Sequence, residues 1–127
     1  METALEKFLR YAKYDTQSNE EGNETPSTKK QFELANLLVG ELRAMGISDA
    51  EVDEHCYVMA TVPSNIPEGH PAFGKVPTIG LIAHVDTSPD VSGANVKPQI
   101  IENYQGGDIV LPGDKSVVIT VAENPNL

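Results

Sequence analysis

The chain of 127 residues contains no tryptophan, one cysteine and few basic side chains. The single cysteine, Cys56, cannot form a disulfide within the chain, and this favours a reducing compartment. Nine Lys and Arg stand against nineteen Asp and Glu, which gives a formal net charge of -10 at pH 7. Because such a charge repels phosphate backbones and anionic membrane surfaces, we expect neither a nucleic-acid partner nor a membrane partner.

Long apolar runs are also missing from the sequence. The N-terminal stretch METALEKFLRYAKY has no uninterrupted apolar segment and no small-residue cleavage site. Nowhere does the chain approach the roughly 20 apolar residues that a membrane-spanning helix needs. We therefore expect a cytoplasmic protein. Cys56 lies in the apolar stretch CYVMATV, where we expect it to be a small buried side chain.

Two segments have the periodicity of amphipathic helices. Apolar residues recur at helical spacing over residues 3–14, with Thr3 as the N-cap. A second helix is predicted to begin at Ser27 or Thr28, where TKKQ has a capping-box pattern, and to end at Gly46. The polar segment between them, DTQSNEEGNETPS, predicts an exposed loop. The predicted apolar stripe of the second helix comprises Phe32, Ala35, Leu38, Leu42 and Met45.

The rest of the chain is prone to form strands. AEVDEHCYVMATVP predicts one or two strands that end at the turn at Pro63, and a proline-rich loop follows. TIGLIAHVDT, residues 78–87, predicts a strand that is apolar on both faces, as in the middle of a sheet covered by helices. Beyond Asp90 the β-prone runs are short. We therefore predict an α/β fold in which helices flank a mixed sheet with a central apolar strand.

His84 and Asp86 lie two residues apart where this apolar run ends. Side chains i and i+2 of a strand point to the same face, so the carboxylate can accept the proton of one ring nitrogen and direct the other toward a metal ion. A structural pair at the end of a strand is the alternative, and the H-x-D spacing alone does not decide between the two. A zinc site needs three or four ligands. We expect His55 and His70 to be solvated rather than to serve as ligands.

Longer motifs resemble a known family. FLRYAKYDTQS, LRAMGI, VMATVPSNIP and, above all, HVDTSPD followed by NYQGGDI resemble the peptidase T group of aminotripeptidases, within the superfamily of co-catalytic di-zinc aminopeptidases and carboxypeptidases. The resemblance implies that His84 binds one of two zinc ions and that Asp86 takes the catalytic position that orients this histidine. The family's other metal ligands and its general base have no match in the sequence. The resemblance therefore implies that residues 1–127 are the N-terminal portion of the catalytic domain, truncated before the remaining ligands.

The resemblance implies a zinc-dependent hydrolase that releases the N-terminal residue from tripeptides. A related metal-dependent dipeptidase or deacylase is an alternative within the same class. In a different class, the 127 residues alone would be a non-catalytic fragment that acts only as an interaction or assembly module. Because His84 supplies a single ligand, we expect these residues alone neither to hydrolyse peptides nor to bind zinc tightly. Unpaired strand edges also predict association into a homo-oligomer.

Overall fold

Two helices form the N-terminal part of the computed structural model, which describes residues 2–127. Helix α1 spans Ala4–Tyr11 and helix α2 spans Gln31–Ala44. The Thr3 hydroxyl accepts a hydrogen bond from the Glu6 N–H at 3.2 Å, and the Glu6 carboxylate accepts one from the Thr3 N–H at 2.7 Å. This reciprocal capping box confirms the predicted helix and its cap. Neither helix of the described residues is long and apolar enough to cross a membrane.

Helix α2 begins later than its sequence predicts. The Thr28 hydroxyl donates to the Gln17 carbonyl at 2.8 Å, and the Gln31 side-chain amide donates to the hydroxyls of Ser27 and Thr28, each at 3.2 Å. The predicted capping box is wrong, because the helix begins at Gln31 after an N-cap at Lys30 and no side-chain hydrogen bond caps it. The predicted end is correct, since Gly46 has a φ of 92° and terminates the helix in the left-handed region.

The buried core is small and lies between α2 and the hairpin that follows it. Leu34, Ala35 and Val39 of α2 are buried, as are Ala50 and Cys56. Helix α2 contacts both strands of this hairpin. The predicted apolar stripe of α2 is correct only in part. Ala35 is buried, but Met45 is exposed. The other three predicted residues are half-buried: Phe32, Leu38 and Leu42.

The hairpin consists of strands β1, Glu51–Val52, and β2, Val58–Met59, which pair antiparallel. These are the strands predicted before Pro63. Cys56 lies in the connecting turn with a φ of 67°, and it is buried, as its apolar surroundings in the sequence indicated. Burial raises the pKa of the Cys56 thiol, and the negative charge of Asp53 raises it further.

A second antiparallel hairpin lies near the end of the chain. Strand β3 spans Ile109–Val110 and strand β4 spans Val118–Ile119, with Ile109 opposite Ile119. The two hairpins form separate two-stranded sheets. Two helices and two small sheets confirm the α/β class in its coarse form.

The predicted central strand is wrong for the described residues. Residues 77–86 have no regular secondary structure, and the side chains of Leu81 and Ile82 are 94% and 100% exposed. A strand requires a neighbour that pairs with its N–H and C=O groups. Within residues 2–127, only Thr87 at the end of the run has such a neighbour, through an isolated parallel bridge to Gln17. The mixed sheet predicted around this strand is likewise replaced by the two separate hairpins.

Helix α1 is held against α2 by polar contacts, since no residue of α1 is buried. The Glu41 carboxylate of α2 accepts hydrogen bonds from Lys7 at 2.7 Å and from Arg10 and Tyr11. Burial alone would raise the pKa of Glu41, but these hydrogen bonds outweigh it and lower the pKa to about 2. The Glu41 side chain is 17% exposed, so its charge is largely compensated by these three partners rather than by water.

Candidate functional site

His84 and Asp86 lie in contact, although the backbone around them is irregular. His84 Nδ1 is 3.0 Å from Asp86 Oδ1 and 3.0 Å from the carbonyl oxygen of the same residue. Because both neighbours are acceptors, we assign the proton of the neutral ring to Nδ1. The lone pair of Nε2 is then available, and this is the atom that would bind a metal ion.

The donor set of the pair fits one metal ligand and its orienting carboxylate. The His84 side chain is 85% exposed, so its Nε2 atom is accessible to an ion. Among residues 2–127, however, no group of three or more His, Cys, Asp or Glu side chains lies close enough together to hold an ion. A zinc site takes at least three protein ligands. The described residues therefore supply one ligand position and its orienting partner.

A short parallel bridge fixes the backbone immediately after the pair. The Thr87 N–H donates to the Thr16 carbonyl at 3.1 Å, and the Thr87 carbonyl accepts from both the N–H and the hydroxyl of Ser18, each at 2.9 Å. The Gln17 side-chain amide donates to the Pro89 carbonyl at 2.9 Å. Thr16 is only 2% exposed. Residues 16–18 thus form a hydrogen-bonded support beside the His-Asp pair, with Thr16 buried and Gln17 and Ser18 half-buried.

The supporting segment is itself held in place from the other side. Asp15 forms an ion pair with Lys30 at 2.8 Å, and this contact, with the N–H of Gln17, holds the pKa of Asp15 below its ordinary value. Gly93 approaches so closely that a Cβ there would lie 2.8 Å from the Asp15 carboxylate oxygen. The Gln17 carbonyl accepts the Thr28 hydroxyl described above. The side chains of Thr28 and Lys30 and the close approach of Gly93 therefore restrain this segment.

Sequence reasoning missed the bridge. The exposed loop predicted over DTQSNEEGNETPS is correct for its later residues but wrong at its start, because Thr16 is buried and Gln17 pairs with Thr87. The available signal was the stretch DTQS within FLRYAKYDTQS, one of the motifs of the family resemblance. Thr16, Gln17 and Ser18 are polar and uncharged, and they gave no chemical reason to place this stretch beside His84.

The other two histidines lie in local contacts of their own. His55 Nε2 is 3.6 Å from the Glu54 carboxylate, and the His55 side chain is about half exposed. His70 Nδ1 accepts a hydrogen bond from the Ala72 N–H at 3.1 Å in an exposed loop. Both are accessible to solvent, as expected from the sequence, and in the described residues neither joins His84 in a cluster of ligands.

Comparison with known proteins identifies relatives along the whole chain, although no family model matches it. The relatives are peptidases. Their name is peptidase T: the chain is 51% identical to the peptidase T of Alkaliphilus oremlandii and 52% identical to that of Clostridium botulinum strain Hall, in each case over all 127 residues. The resemblance read from the motifs is thereby confirmed. The chain spans 30% of the length of each of these relatives.

Proposed function

We propose that the chain is part of a metal-dependent peptidase that releases the N-terminal residue from tripeptides. The observation that carries this proposal is the identity of 51–52% to peptidase T over all 127 residues. The contact between His84 and Asp86 supports it, because an orienting carboxylate on a histidine is the usual arrangement at a protein metal site. The preference for tripeptides comes from the resemblance to the peptidase T group of aminotripeptidases and not from any substrate contact.

In this proposal, His84 is a ligand of one of two zinc ions and Asp86 is the residue at the catalytic position that orients it. The Asp86 carboxylate holds the proton on Nδ1 and leaves Nε2 free for the metal. Zinc, when bound, would supply Lewis acidity toward the scissile carbonyl and the attacking water. The further ligands and the general base would come from outside these 127 residues, because the resemblance matches only His84 and Asp86.

Residues 1–127 would accordingly form the N-terminal portion of a zinc-peptidase catalytic domain. We propose that these residues on their own are inactive and bind zinc weakly, since a single histidine ligand does not make a zinc site. The apolar side chains of Leu81 and Ile82, which are almost fully exposed, favour self-association of the isolated residues. Light scattering over micromolar concentrations tests this association, and a compact monomer throughout the range would contradict it.

We also propose a cytoplasmic location. The buried and unpaired thiol of Cys56 is compatible with a reducing compartment. Fractionation of cells that produce the complete protein, followed by activity measurement in each fraction, would test this location. Recovery of the activity outside the cytoplasmic fraction would refute it.

The function itself is tested with the complete protein and a matched set of substrates. Dipeptides, tripeptides and tetrapeptides with free N-termini are compared with N-acylated amino acids, before and after removal of metal with a chelator. We expect the highest kcat/KM for tripeptides, loss of activity on chelation, and recovery when zinc is restored. A preference for dipeptides or acylated amino acids would refute the aminotripeptidase proposal in favour of the dipeptidase or deacylase alternative, and activity insensitive to chelation would refute the metal dependence.

A further inference from the structure

We infer that residues 16–18 are a positioning element for the His84–Asp86 pair, an inference that rests on the proposed function. The link runs through one peptide group. The carbonyl oxygen of Asp86 is 3.0 Å from His84 Nδ1, and the N–H of the same peptide unit, that of Thr87, donates to the Thr16 carbonyl at 3.1 Å. Because a peptide unit is planar, fixing the direction of its N–H also fixes the direction of its C=O.

The His84 ring therefore stands at the end of a continuous chain of hydrogen bonds. The ring donates to the Asp86 carbonyl, and the N–H of that peptide donates in turn to the carbonyl of the buried Thr16. Successive hydrogen bonds of this kind polarise and strengthen one another. This series of hydrogen bonds thus acts on the orientation of the His84 ring and not only on the stability of the fold.

Such support is needed at this position because little else restrains the pair. Residues 77–86 are irregular, and the His84 side chain is 85% exposed. An exposed side chain on an unpaired backbone samples many orientations, and a metal ligand must be confined to one of them. The bridge to residues 16–18 supplies this confinement at the residue next to Asp86.

Two side chains reinforce the bridge and can be changed without altering its backbone. The Ser18 hydroxyl donates to the Thr87 carbonyl, and the Gln17 amide donates to the Pro89 carbonyl, each at 2.9 Å. The double substitution Gln17→Glu with Ser18→Ala removes both donors and leaves the backbone hydrogen bonds of the bridge in place. Neither side chain hydrogen-bonds to the imidazole of His84. Because the negative charge added at position 17 would attract a zinc ion, a loss of zinc affinity points to the bridge and not to that charge.

The experiment uses the complete protein and two measurements. Zinc affinity is measured by competition with a chromophoric chelator, and the 15N chemical shifts of the His84 ring nitrogens are recorded in the metal-free protein. For Q17E/S18A we expect zinc binding to be about 3- to 10-fold weaker. We also expect 15N shifts displaced toward a mixture of tautomers. Both should occur with little change in Tm, and S18T, which keeps the hydroxyl, should behave as the wild type.

A matched control is available elsewhere in the chain. The Gln99 side-chain amide donates to the carbonyls of Lys97 and Pro98, and the Ser116 hydroxyl donates to the Asp114 carboxylate. Q99E/S116A therefore removes the same kinds of donor and adds the same charge without touching the bridge. We expect its zinc affinity and its His84 shifts to equal those of the wild type.

The outcomes separate the inference from the function on which it rests. Wild-type zinc affinity and wild-type 15N shifts in Q17E/S18A, or equal changes in Q99E/S116A, would overturn the positioning role. Full zinc content and activity in His84→Ala would overturn the proposed function and the inference with it. If Q17E/S18A does not fold, the zinc affinities of the single variants S18A and S18T are compared instead. We expect weaker binding in S18A, which lacks the hydroxyl, and equal affinities in the two variants would overturn the inference.

Discussion

Replacement of Glu41 by glutamine should weaken the attachment of α1 to α2. Its carboxylate accepts hydrogen bonds from three side chains of α1, those of Lys7, Arg10 and Tyr11. Although burial disfavours the charge, these bonds lower the pKa of Glu41 from 4.5 to about 2. A carboxylate whose pKa is lowered by folding stabilises the folded state while it is ionised. Glu41→Gln keeps the size of the side chain and removes the charge.

The size of the effect follows from this difference in pKa. Between 4.5 and about 2 it corresponds to at most about 3 kcal/mol at neutral pH. Because Lys7 and Arg10 are partly exposed, solvent screening and the ordering of their long side chains reduce this value, and we expect a loss of about 1–2 kcal/mol. The contribution is complete above pH 4.5 and disappears as the pH falls toward 2, because protonated Glu41 is then as neutral as glutamine.

Urea unfolding monitored by circular dichroism, at neutral pH and in steps down to about pH 2, measures the difference between wild type and Glu41→Gln. Glu20→Gln is the control, since Glu20 is exposed in a loop and its substitution should change the stability by less than about 0.5 kcal/mol. Equal stabilities of the wild type and Glu41→Gln at neutral pH would refute the reasoning. A gap between the two that persists undiminished at the lowest pH would refute it as well.

Two further substitution pairs test the site and the end of α2. His84→Ala should remove metal from one site and abolish nearly all activity of the complete protein, while Asp86→Asn should keep the fold and lower metal affinity or rate by about 10- to 100-fold. Elemental analysis, kinetics, and thermal melts with and without chelator check this, and unchanged activity in either variant would reject the assignment. Gly46→Ala should destabilise the protein by about 1–2 kcal/mol because its φ is 92°. Gly40→Ala, inside α2 with open space around it, should stabilise by about 0.5–1 kcal/mol, and thermal unfolding that ranks these two variants in the opposite order would contradict the argument.

Features that depend on neighbouring residues were predictable from the sequence. The capping box of Thr3 needs only Glu6, three residues on, and the end of α2 needs only a glycine at position 46. The contact between His84 and Asp86 likewise follows from a spacing of two residues, although the structure makes it in irregular backbone instead of a strand. Their roles as ligand and orienting residue remain predictions.

Features that depend on distant partners were not predictable in this way. The motif at Thr28 has the pattern of a cap, but its hydroxyl bonds to Gln17, eleven residues away. The apolar run of residues 78–87 has the composition of a central strand, yet composition does not supply a partner strand, and only Thr87 is paired. The bridge between Gln17 and Thr87 joins positions far apart in the sequence, so no pattern of neighbouring residues predicts it.

The turn that encloses Cys56 gives the protein a built-in chemical reporter. The thiolate is the form that attacks an alkylating reagent, and burial both hides the Cys56 sulfur and raises the pKa of its thiol. The rate of its alkylation should therefore be limited by how often the β1–β2 hairpin opens. Since residues 1–127 contain no second cysteine, the labelling rate of these residues on their own can be read without background from another thiol. It offers a direct measure of the free energy of local opening where the hairpin packs against α2.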